Sequence, residues 1–145
     1  MAQNLVVNEL VASGERLIAA LAAAGFEIRV AFWAKPTEDG EWFLYLASPM
    51  VDDQGPKAAY HLVHGVMRGM GDPWIEPLEV KVVGVRDSLA EDALKLMRRR
   101  GPAGSDAVGN RKPFPGMTWF GGSTLAGIDF DGGCVYPPST LGVSA

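Results

Sequence analysis

The stretch EIRVAFWAKPTEDGEWFLYLASPM, Glu27 to Met50, decides how this chain is read. Ile28, Val30, Phe32 and Ala34 fall on one parity, and Arg29, Ala31, Trp33 and Lys35 on the other. Side chains alternate faces along a strand, so this pattern predicts a first β arm whose even positions face a core. Trp42, Leu44 and Leu46 alternate with Phe43, Tyr45 and Ala47 in a second arm. Both arms are aromatic and β-branched, as strands prefer. Pro36 and the Asp39-Gly40 pair between them are turn chemistry, so the two arms read as a hairpin. Paired residues share a face. The expected register therefore sets Ala34 against Trp42, Phe32 against Leu44 and Val30 against Leu46. It leaves Trp33, Phe43 and Tyr45 together on a second face, too aromatic for plain solvent exposure. Its cover is expected to be the C-terminal strands, a second copy or a partner.

Outward from the hairpin, residues 4–24 predict a first helix: Val7, Leu10, Leu17, Ile18 and Leu21 recur at three- and four-residue steps. Gly14 lies in that stripe, where a backbone can approach closely. Gly25 supplies a left-handed stop, with Phe26 folding back on the last turn. On the other side, Pro56 starts a helix that runs to about Met70 and ends at Gly71-Asp72-Pro73. Leu78 to Val85 reads as a third strand, reached by a crossover and hence parallel to the second arm. Ser88-Leu89-Ala90-Glu91 matches a capping box that opens a helix to Arg100. Residues 101–116 are rich in Pro and Gly and read as a long loop. Three short strands are expected at Met117–Phe120, Ser123–Phe130 and Cys134–Tyr136, with Gly121-Gly122 and Asp131-Gly132 as turns. Residues 139–145 read as a frayed tail.

The chain's 145 residues suit one domain with a real core, so 1–145 is expected to form a single α+β unit. A mixed sheet built on the hairpin, three helices mainly on one face and a short C-terminal meander complete the expected architecture. The formal net charge of −4 gives no general attraction to nucleic acid or anionic lipid. One cysteine, Cys134, excludes an internal disulfide framework and fits a reducing compartment. Neither a secretory signal nor a membrane-length apolar run is visible, so a cytoplasmic protein is expected.

Several short elements together resemble a group of small bacterial proteins. They are Gly25-Phe26, Ala31-Phe32-Trp33, Leu46-Ala47-Ser48-Pro49, Val51-Asp52, Gly55-Pro56 and Ala59-Tyr60. The likeness covers the first half of the chain and touches the final meander. It implies an α+β domain and supplies no activity, cofactor or partner. The 101–116 segment is where this chain is expected to depart from that group.

Candidate chemistry is sparse. His61 and His64 lie three apart on one helical face and could bind a transition metal if a third ligand arrived. Asp52 and Asp53 lie too far along the axis to supply it, and a solvated stripe with Lys57 and Arg68 explains the pair as well. Cys134 could act as a nucleophile beside a histidine and Asp129 or Asp131, but no glycine-framed elbow is present and turns use Asp and Gly for backbone reasons. The glycines of 101–109 lack the Gly-Lys-Ser/Thr of a phosphate loop. Lys95, Arg98, Arg99 and Arg100 with Arg111 and Lys112 form a basic concentration that could contact phosphates; the first four also suit the carbonyl end of their helix. Against these, Trp33, Phe43 and Tyr45 are the residue types enriched in interface cores. The expected function is a non-enzymatic protein-interaction module without a cofactor, docking on a partner or on itself. A small enzyme using His61, His64 or Cys134, and a nucleic-acid accessory protein using the basic cluster, are the alternatives.

Overall fold

The computed structural model describes residues 2–36, 41–71, 75–100, 117–137 and 141, with side chains for all of these except 2–7, 99, 100, 119, 122 and 123. The elements in order are α1 (Ala2–Ala23), β1 (Val30–Lys35), β2 (Phe43–Ala47), α2 (Pro49–Gln54), α3 (Pro56–Met70), a 3-10 turn at Pro77–Glu79, β3 (Val80–Val83), α4 (Ser88–Arg100), β4 (Thr118–Leu125) and β5 (Ile128–Val135). The five strands form one mixed sheet in the order β3-β2-β1-β5-β4. β2 and β3 run parallel, joined through α2 and α3 as expected of a crossover, and the other neighbours are antiparallel. The fold is α+β, and β1 is its central strand.

The hairpin register differs from the expected one by a single residue. Trp33 pairs with Leu44, Phe32 with Tyr45, and Ala34 with Phe43. A shift of one exchanges the faces of the whole second arm. Leu44 and Leu46 therefore lie with Ala31 and Trp33, while Phe43 and Tyr45 lie with Phe32 and Ala34. The bulky alternation in the second arm is consistent with either register. The two faces of β1 are both apolar, so parity could not choose between them.

Both faces are covered. Ala31, Trp33, Leu44, Leu46, Val80 and Val82 pack with Val11, Leu17, Ile18 and Leu21 of α1 and with Ala59, Val63 and Met67 of α3; Met50 and Val51 of α2 lie against the same cluster. Val30, Phe32, Ala34 and Val135 pack on the other side with Ala90, Ala93 and Leu96 of α4. Three helices thus share one face, but they are α1, α2 and α3. The helix at Ser88–Arg100, expected among them, covers the opposite side.

The C-terminal segment is one long hairpin, where three strands were expected. Its turn is Ala126-Gly127, both with positive φ (55° and 78°), as a two-residue type I′ turn requires. The glycine pairs read as turns lie within the ladder, Gly121 opposite Gly132 and Phe120 opposite Gly133. A Cβ on Gly133 would stand 2.2 Å from the Trp33 carbonyl oxygen and 2.4 Å from the Phe120 ring, so β1 and β5 approach there as only glycine allows. The ribbon also coils at this point. Phe130 and Cys134 share parity, yet Cys134 lies on the Trp33 side and Phe130 on the Phe32 side. Glycines permit that rotation. The coiled tip is pinned by α4, where Asp92 Oδ2 accepts the Ala126 N–H at 2.7 Å.

Local signals at helix ends are mostly as expected. Phe26 N–H donates to the Leu21 carbonyl and Gly25 N–H to that of Ala22, with Gly25 at φ 88°: a Schellman stop that buries Phe26. Three readings change. Residues 49–54, which lie before the helix expected from Pro56, form a separate helix α2, started by Pro49 and capped by Ser48 Oγ accepting from the Met50 N–H. At α4 the cap is Asp87, whose Oδ1 accepts the Leu89 N–H at 2.9 Å; Ser88 is already helical. Asp and Ser are both favoured caps, and here the upstream Asp87 takes the position. The third strand is shorter than 78–85, because Pro77–Glu79 closes a 3-10 turn on reciprocal bonds between Glu76 and Glu79, leaving Leu78 82 % exposed.

Candidate functional site

The three aromatic residues expected to form one surface are divided by the sheet. Trp33 is 1 % exposed under α1. Its Nε1–H donates to the Tyr136 hydroxyl at 3.0 Å, and that hydroxyl donates to the Val11 carbonyl at 2.6 Å. Gly14 is the floor of this contact, since a Cβ there would stand 2.2 Å from the Tyr136 oxygen. Burial first, then the nearby Cys134, pushes the Tyr136 hydroxyl far above the usual phenol range. Trp33 is therefore a buried structural residue, and the one-residue register shift is the reason that it parts from Phe43 and Tyr45.

Phe43 and Tyr45 remain together, and their face is half covered. Along β2 the burial alternates: Leu44 and Leu46 are buried, Phe43 and Tyr45 intermediate. β3 repeats the pattern, with Val80 and Val82 buried and Lys81 and Val83 intermediate. The register sets Tyr45 beside Lys81 and Ala47 beside Val83. Phe43, Tyr45, Lys81 and Val83 thus form one strip on the α4 side of the sheet. The cause lies in where α4 sits: it packs on β1 and β4, the far half of that face. Phe32 stacks on Tyr45 with ring centroids 4.9 Å apart, and Phe130 from the hairpin tip meets the Tyr45 edge at 6.1 Å. Phe130 of the C-terminal ribbon therefore covers one flank of Tyr45. Burial first, then Tyr60, raises the Tyr45 hydroxyl above its ordinary range.

Charged groups frame the strip. Lys81 Nζ lies over the Phe43 ring at 5.2 Å, within cation–π range. Glu79 immediately precedes β3, and its carboxyl is raised above the usual range, by partial burial first and then by Glu76 and Glu41, against the lowering bond from the Glu76 backbone. Among the described residues neither Lys81 nor these three glutamates joins an ion pair. Reading the sequence for motifs missed Lys81 and Glu79. Their signal was parity: both alternate with Val80 and Val82, which marks them as facing the less covered side.

The other candidates are not brought together. His61 is exposed on α3; His64 is half-buried against the Tyr60 ring, and its Nε2 has no hydrogen-bond partner among the described residues. Cys134 is fully buried beside Trp33 in the sheet. Asp129 accepts from the Thr124 hydroxyl at 2.6 Å, and Asp131 pairs with Lys35 at 3.5 Å. Asp52, on α2, accepts the Val85 N–H at 2.8 Å and so ties the crossover to the end of β3. Among the described residues no three His, Cys, Asp or Glu side chains gather as a metal site. Lys95 and Arg98 are exposed on α4; the side chains of Arg99 and Arg100, all of Arg111 and Lys112, and the 101–116 loop lie outside the described residues. A recess lined by Leu17, Met67, Met70 and Ile75 has a volume of about 10 Å³, room for one water at most. No described helix is long and apolar enough to cross a membrane. Comparison of the chain with family models, with curated proteins and with solved structures gives no match in any of the three.

Proposed function

We propose that this protein is a non-catalytic interaction module whose contact surface is the half-covered strip of Phe43, Tyr45, Lys81 and Val83. The observation that carries this reading is the asymmetry of β2 and β3. One side of these strands is buried by α1 and α3, whereas the other keeps two aromatic rings partly open. Aromatic side chains on a preformed sheet supply contact area at little entropic cost, which is why they recur in interface cores.

The test places a photo-reactive phenylalanine analogue at position 43, with position 91 on the exposed side of α4 as control. After irradiation in producing cells, discrete protein adducts at position 43 and none at 91 are the expected result. Equal labelling at both positions, or none at 43, would remove the strip as a contact surface.

A further inference from the structure

We draw no further inference here: the strongest candidate, the half-covered surface patch of Phe43, Tyr45, Lys81 and Val83 on the α4 side of β2 and β3, carries nothing beyond the proposed contact surface, because nothing in the structure shows what covers it.

Discussion

The contact of Gly14, Trp33 and Tyr136 makes a quantitative prediction about what locks α1 to the sheet. In Tyr136→Phe, the Trp33 N–H loses its acceptor in a site sealed from water. An unsatisfied buried donor costs about 1–3 kcal/mol. The Val11 carbonyl loses one partner as well, but it keeps its place in the helical ladder. In Gly14→Ala, the new methyl lands 2.2 Å from the Tyr136 oxygen and 2.9 Å from Trp33 Nε1. Overpacking of this kind costs about 1–3 kcal/mol, offset by up to ~1 kcal/mol because alanine favours the helix over glycine. Combining the two changes removes the oxygen that the methyl strikes. The nearest remaining atoms are then Trp33 Nε1 at 2.9 Å, which must still give way, and Tyr136 Cζ at 3.2 Å.

The double variant should therefore lose less than the two single losses added together, a favourable coupling of about 1–2 kcal/mol. Urea denaturation of the four proteins measures it, with unchanged m-values as the check that the folded and unfolded states are comparable. In thermal melts the coupling corresponds to about 3 °C per kcal/mol for a chain of this size. Single losses that simply add, within ~0.5 kcal/mol, would show that methyl and hydroxyl do not meet. The contact would then be looser than the 2.6 Å and 3.0 Å hydrogen bonds imply.

Two further outcomes are expected. Trp33→Ala and Phe32→Ala should each cost roughly 3–5 kcal/mol in thermal melts at low protein concentration, because both side chains are fully buried; a Trp33 variant of near wild-type stability would return that residue to the surface. Above pH ~10 the unfolded chain releases the Tyr136 proton while the folded chain keeps it, so stability should fall by up to ~1.4 kcal/mol per pH unit as pH rises toward the folded value, having been fully present below. Urea midpoints from pH 9 to 11 should fall less steeply in Tyr136→Phe, and equal slopes would mean that burial does not hold the proton there.

The elements were legible in the sequence wherever a local signal had a single meaning. Gly25-Phe26 could only stop a helix and fold back, and it does. The run from Pro56 to Gly71 carried a start, one apolar stripe and a left-handed stop. The misreadings arose where one residue type serves two physical purposes. Glycine makes turns, and it also lets strands cross closely or coil; Gly121, Gly132 and Gly133 serve the second purpose within a ladder. Ser88 and Asp87 both cap helices, and the cap fell to the carboxylate. Leu78 belonged to the apolar alternation of β3 until Pro77 and the Glu76–Glu79 bonds turned the backbone before it.

The proposed contact surface was half legible for a related reason. Phe43 and Tyr45 were marked by composition, but their company was set by register, and register is a tertiary property when both faces of a strand are apolar. β1 offers Ala31 and Trp33 on one side and Val30, Phe32 and Ala34 on the other, every one of them buried. Neither side repels a wrong partner, so nothing in the hairpin alone favours one register. The decision comes from distant residues. Gly14 admits the Trp33 indole and the Tyr136 ring to α1, and Gly133 admits the β1 backbone. With Trp33 fixed under α1, Leu44 is the residue that pairs with it. Phe43, Tyr45 and Lys81 are then turned to the side that α4, lying over β1 and β4, leaves open. The glycines that seat Trp33 and β1 thus lie in other parts of the chain from the strip. A side chain at Gly133, which meets backbone and cannot be rescued by removing a hydroxyl, would disturb that strip as well as the core beneath it.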